Sequence, residues 1–295
     1  VKVMSRAYAE NVDQRPNDLA LLGMGKILGE LQTQYPEMTW VKRIQFGGLL
    51  DIPDENGETR SQGPVAGMGV DLLSPGSGEI ATLNIQKAVV SGRLPGARGE
   101  ILISDALARK LDVQLGETAT LLSSTMHGSM TVHNFTVVGT VRFGLLAMDR
   151  GAVIADVADV QQALDMADAA GEILGYLPNR IYDEERAAGM VDAFNAGRQD
   201  ADNEFAPVMG KLKELSRLGD YLEMAGRFSG ILVAIFVVVM SIVLWNVGLL
   251  GGLRRYGEVG VRLAIGEDKG HVYRSMIYES VFTGLAGSVI GTVLG

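Results

Sequence analysis

Three histidines, His127, His133 and His271, are the side chains best suited to proton transfer or metal binding near neutral pH. None stands at the spacing from a second ligand that zinc or a catalytic pair favours, so each reads as a loop or strand residue. Cysteine is absent, which removes disulfides and thiolate metal sites. No Gly-x-Ser-x-Gly turn presents a serine nucleophile, and no Gly-x-Gly-x-x-Gly follows a strand. Gly25-Lys26 and Gly210-Lys211 run on into Ile27 and Leu212, where a phosphate loop needs serine or threonine. Residues 51–58 fail as a calcium loop, because with Gly57 at the sixth place the first ligand would be Ile52. Asp183, Glu184 and Glu185 are adjacent and read as a solvated helix start. No catalytic residue, metal site or cofactor is therefore assigned to this chain, and any driving energy must come from a separate polypeptide.

The segment with the clearest chemistry is 254–274. Arg255, Glu258 and Arg262 supply ion-pairing groups, and Val259, Val261, Leu263 and Ile265 supply apolar surface. A short charged amphipathic stretch of this kind can dock in a groove on a partner, or lie on a membrane surface without one.

The elements that must position it are apolar. Residues 228–253 form a run of 26 without a charge. As a helix they would span about 39 Å at 1.5 Å per residue, against a hydrocarbon core of about 30 Å. The 14 Leu, Ile, Val and Phe side chains between Ile231 and Leu250 favour insertion by roughly 4 to 8 kcal/mol. A second apolar run begins near Ser280 and continues to Gly295. Gly248 and Gly252, and Gly287 and Gly291, repeat at four-residue spacing, the pattern that lets membrane helices pack closely. The loop after the first run holds five Lys and Arg, and the 21 residues before the run hold four. The positive-inside rule thus leans only slightly towards a cytoplasmic 254–274.

The remainder is polar. The chain has 295 residues, 47% hydrophobic and 21% charged, with net charge -9 and mean hydropathy +0.18. A polar majority joined to an apolar minority accounts for that combination, and the acidic balance argues against a nucleic-acid partner. Within 1–220 the pattern alternates between strand and helix signals. Asn17 reads as the cap of a helix carrying Leu19, Leu22, Ile27 and Leu31. Residues 42–52 alternate as a strand and turn at Asn56-Gly57 into 64–70. Ser104 follows a short strand at 100–104 and caps a helix to Leu111. Residues 118–122, 131–143, 151–154 and 172–177 read as strands, and 156–166 and 183–196 as helices. From about Phe205 the pattern turns helical, with Pro207 in the first turn. It reads as a stalk helix running into the membrane, with Gly210, Gly219 and Gly226 weakening it without forcing a break.

Residues 253–266, from Leu253 through Arg255, Glu258, Val259, Gly260, Arg262, Ala264 and Ile265 to Gly266, resemble the R-x-x-E-[IV]-G-[IV]-R-x-A-[IVL]-G signature of FtsX-like ABC-transporter permeases. That family includes MacB-type efflux pumps, the lipoprotein-releasing LolC and LolE subunits, and FtsX. Tyr278-Glu279 opens a Gly-rich apolar segment as in the family, whereas Glu267-Asp268 stand where small residues are usual. Ser91-Gly92-Arg93, the stretch from Glu100 to Leu111, Gly116-Glu117-Thr118 and the stretch from Phe135 to Gly139 look more loosely like the family's extracytoplasmic domain.

The resemblance implies a fold class of an α+β extracytoplasmic domain joined to α-helical transmembrane segments. The domain and its stalk would occupy 1–220 and the membrane region 221–295. Within the latter lie a span at 228–253, a cytoplasmic coupling segment at 254–274 and the start of the next span at 275–295. A start at Val1 rather than Met, and an end inside an apolar run, lead us to expect an interior piece of a four-span subunit. The expected partners are an ABC ATPase, which would hold the ATP and Mg, a second permease copy or homologous permease, the lipid membrane, and an extracytoplasmic lipoprotein or adaptor. The expected location is the bacterial inner membrane. The function expected is conversion of ATP hydrolysis into movement of the extracytoplasmic domain, for lipoprotein, amphiphile or efflux cargo. Two alternatives stand beside it: an FtsX-like regulator of a cell-wall hydrolase, and a membrane-anchored sensor or adhesin.

Overall fold

The computed structural model describes residues 1–14, 16–198, 203–211 and 218–294. Val1–Gly219 and Asp220–Gly295 form two compact units.

The first unit opens with strand β1 (Lys2–Ser5) and helix α1 (Arg6–Glu10). Ser5 caps that helix, its Oγ accepting from the Tyr8 N–H at 3.0 Å. Asn17 does not start the long helix that the apolar spacing predicts. It begins a single 3-10 turn (Asn17–Leu19), and β2 (Leu21–Leu22) pairs with β10 (Ala169–Ala170) before α2 (Met24–Gln34) begins. Gly23, at φ 69°, sits in the left-handed region and separates the two elements. The long-range pairing with Ala169 and Ala170 outweighed the local periodicity.

Strand β3 (Thr39–Pro53) organises the sheet. Its first half pairs with β11 (Glu172–Tyr176), and from Ile44 onward it pairs with β4 (Thr59–Val70). Leu49, Leu50 and Asp51 also pair with β7 (Thr118–Ser124). The β3–β4 turn is tied by the Asp54 carboxylate, which accepts from the N–H groups of Asn56 and Glu58. Gly57 takes the positive φ of 82°, as the Asn-Gly signal suggested. Phe46 faces Gly67 across the pair, and a Cβ at 67 would stand 2.0 Å from its ring. The missing side chain leaves room for the aromatic ring.

β4 runs parallel to β9 (Ala152–Asp156), which is antiparallel to β6 (Glu100–Ser104). β6 runs parallel to β8 (Met130–Val141), and β8 pairs with β7. The hydrogen-bonded path β3-β4-β9-β6-β8-β7 thus returns to β3 and closes on itself. β5 (Val89–Gly92) adds to the outside of β8, while β11, β1 and β12 (Pro207–Gly210) extend the sheet beyond β3.

β6 and β9 are buried on both faces because two cores meet there. Ile101, Ile103, Val153 and Ala155 join the main cluster with Phe46, Leu50 and Phe135. Leu102 and Ile154 join a second cluster with Val70, Ile85 and Val138, beneath the short helices α3 (Glu79–Thr82) and α4 (Ile85–Ala88). The alternation follows the period of two along a strand. Helices α5 (Asp105–Leu111), α7 (Val157–Ala163) and α8 (Glu184–Ala196) start close to where the sequence predicts them. The Ser104 hydroxyl accepts from Leu107 N–H, and the Asp156 and Asp183 carboxylates accept from Ala158 and Arg186 N–H. A one-turn helix, α6 (Leu146–Asp149), lies between β8 and β9.

The stalk helix expected from Phe205 is corrected by β12. Residues 207–210 are extended and pair with Lys2–Ser5 across the whole of β1. Proline fits the first residue of an edge strand as well as a first helical turn, so Pro207 does not distinguish the two locally. The Asn195 side chain on α8 decides it: its amide donates to Met209 O at 2.8 Å and its oxygen accepts from Met209 N–H at 3.0 Å. Residues 212–217 of the expected stalk lie outside the described residues.

The second unit consists of three helices: α9 (Leu218–Arg254), α10 (Tyr256–Ala264) and α11 (Lys269–Leu294). α9 runs unbroken through Gly226. Within its stretch Met224–Arg254, an 18-residue window has mean hydropathy 2.7, and none of that window is buried. Among the described residues it is the one helix long and apolar enough to cross a membrane, by length and composition.

Candidate ATPase-coupling site

α10 is short, and its polar groups follow its dipole. Glu258 lies in its first turn and Arg262 in its last, so an anion sits near the positive end and a cation near the negative end. The two pair along the helix at 3.0 Å, with the acid on the N-terminal side, the favoured orientation. Arg255, at the N-cap position, reaches out of the helix instead. Its Nη1 donates to Glu279 Oε2 on α11 at 2.6 Å. Among the residues that the spacing marked for a partner, Arg255 is thus engaged within the chain. Glu279 carries no local signal of this role in the sequence, because it stands 24 residues downstream of its partner.

Gly266 ends α10. Its φ of 98° is left-handed, its N–H donates to Leu263 O, and the Glu267 N–H donates back to Arg262 O. These are the two hydrogen bonds of a Schellman motif, which favours glycine at the position after the cap. Asp268 then caps α11. Its carboxylate accepts from Gly270 N–H, and its carbonyl accepts from His271 and Val272 N–H. This gives the departure at Asp268 from the family's small residues a local structural role.

α10 divides into two faces. Val259, Arg262 and Leu263 are half-buried, and α10 packs on α11, whose Val272 is 4% exposed. The other face carries Tyr256 (78% exposed), Val261 (60%) and Ile265 (81%). Between them lie Gly257, Gly260 and Ala264, all exposed. A Cβ placed at Gly257 or Gly260 would meet nothing within 4 Å. The same holds at Gly248, Gly252, Gly287 and Gly291, so the small-residue faces of α9 and α11 are open in this unit.

The histidines lie apart. His127 stands 3.7 Å from Asp165, His271 stands 3.7 Å from Glu267, and the His133 ring lies 4.8 Å from Phe135 on β8. Among the described residues no group of three or more histidines and carboxylates is placed to hold a metal ion.

Residues 230–295, which contain most of α9 and all of α10, match the family model described as FtsX-like permease C-terminal. In fold comparison, the periplasmic region of MacB from Actinobacillus actinomycetemcomitans aligns with a TM-score of 0.46 and 10% identity, covering 66% of this chain and 82% of that one. No curated protein matches the chain. Over residues 230–295 the chain is thus similar to the C-terminal part of FtsX-like permeases.

Proposed function

We propose that this chain couples ATP hydrolysis on a separate subunit to movement of its α+β domain, with α10 as the element the ATPase grips. The supporting observation is the open face of α10. Glycine in a helix interior costs about 1 kcal/mol relative to alanine. Gly257 and Gly260 have neither a positive φ nor a neighbour that a Cβ would strike. Nothing within the unit requires glycine there, whereas a partner seated against the backbone would. Exposed Val261 and Ile265 flank the same surface and give such a partner apolar area to bury. Glu258 and Arg262 lie beside it as a charged border.

On this reading Arg255 and Glu279 hold α10 against α11, Gly266 sets where it stops, and Gly248, Gly252, Gly287 and Gly291 await other membrane helices or a second permease copy. The cargo class is a lipoprotein or another amphiphile handled at the outer leaflet. No ionisable residue interrupts 228–253, which suits transmission of force better than a hydrophilic path.

Gly260→Leu tests the reading, because its effect on the helix and on the docking have opposite signs. Leucine favours the isolated helix by about 1 kcal/mol and meets open space within the chain. We expect membrane insertion to persist and co-purification of the ATPase to fall. Undiminished co-purification together with full ATP-driven activity would remove α10 from the interface.

A further inference from the structure

A cavity of about 430 Å³ opens in the first unit between the β1–β11–β3 part of the sheet and the start of α8. That volume lies within the usual range for small-molecule sites, about 300 to 1,000 Å³. Met38, Met68, Leu174 and Met190 line its walls. Methionine is unbranched and adapts to irregular shapes, so such walls suit a flexible hydrocarbon better than a rigid ring system.

The charges around the cavity are unequal. Lys2 and Glu172, both buried, pair at 2.5 Å. Arg43 is held by Glu79 at 2.8 and 3.0 Å and by Tyr176 Oη at 2.8 Å. Arg186, at the rim, pairs with Glu37 at 2.5 Å. Arg180 lines the same cavity and makes no ion pair among the described residues. Beside it Ile181 is 68% exposed, an apolar residue left in water at the opening.

We infer that this cavity binds a single-chain amphiphile with an anionic carboxylate head. The alkyl chain would lie along the methionine walls and the carboxylate would meet the Arg180 guanidinium. Two features select this occupant. The deeper charges are already neutralised in pairs, so the interior asks for no charged group. The Val1 ammonium donates to Gly175 O and the Asp183 carboxylate accepts from Arg186 N–H, while Arg180 sits at the mouth, where its planar fork matches a carboxylate. The site lies wholly within residues 1–219 and does not depend on coupling to an ATPase.

The test uses the chain in phosphatidylcholine nanodiscs with the fluorescent probe dansylaminoundecanoate. Wild type should give a saturable signal above that of empty discs, and laurate should displace it. Arg180→Glu, at an exposed position, should weaken probe binding by about tenfold, as loss of a charge-assisted contact does. Ala187→Trp, which fills the cavity from α8, should abolish the signal, with circular dichroism confirming the fold. If that variant misfolds, Arg180→Glu decides alone. A signal no greater than empty discs, equal affinity in Arg180→Glu and wild type, or stronger displacement by dodecylammonium than by laurate would overturn the assignment.

Discussion

At the scale of single residues, the most informative side chains outside the membrane unit are two carboxylates. Glu100 accepts from both Nη atoms of Arg93 and from the N–H groups of Gly96 and Ala97. The Arg93 bonds, and then the Gly96 amide, hold its carboxyl down to about 2 from a reference of 4.5. A depressed carboxylate contributes stability that is complete above the reference value and is lost as pH falls towards the folded one. Wild type should therefore lose its stability advantage over Glu100→Gln as pH drops from about 4.5 to about 2, measured by urea midpoints of the first unit at each pH. An advantage that grew on acidification would contradict the geometry. Glu79 presents a different case. It is fully buried and forms a bidentate pair with the buried Arg43. Glu79→Gln leaves that guanidinium without a counter-charge, at an expected cost of about 3 kcal/mol, readable as faster amide exchange in β3, α3 and β11. The sequence showed neither partner, because 36 residues separate them.

At the scale of elements, helix starts followed local rules and were legible. Ser104, Asp156 and Asp183 each cap the helix whose start they marked, because a cap is a contact over two or three residues. Asn17 and the Phe205 region failed where a distant partner intervened. Ala169 and Ala170 claim Leu21 and Leu22, and β1 claims residues 207–210. The segment from Arg255 to Gly266 shows the same division. Glu258 and Arg262 pair locally at i, i+4, while Arg255 turns to Glu279 on another helix. We expect Arg255→Glu to uncouple ATP hydrolysis from function and Arg255→Glu with Glu279→Arg to restore part of it. Failure of the double variant to recover anything, with both proteins inserted normally, would assign Arg255 a contact outside the chain.

At the scale of the whole molecule, the division at Gly219 is physical. The first unit has its own two apolar clusters and a ring of strands closed on itself. Among the described residues, every member of the two clusters lies within 1–219. A protein of residues 1–219 alone should therefore be soluble and show the amide protection of the longer chain in β3, β6 and β9. Loss of protection there would mean that the second unit completes the core. The second unit differs. Its long helix carries exposed Leu, Ile, Val and Phe from Phe228 to Leu253, a surface suited to lipid or other helices.

The sequence by itself determined the apolar span and the amphipathic segment after it. Each of these depends on residues within a few turns of one another, where hydropathy and periodicity act locally. Tertiary structure alone decided that β3 serves three neighbours, that residues 207–210 return to β1, and that Arg255 belongs to Glu279. Strand order and cross-helix ion pairs join residues dozens to hundreds of positions apart. Spacing carries no record of which distant group will satisfy a backbone or a charge.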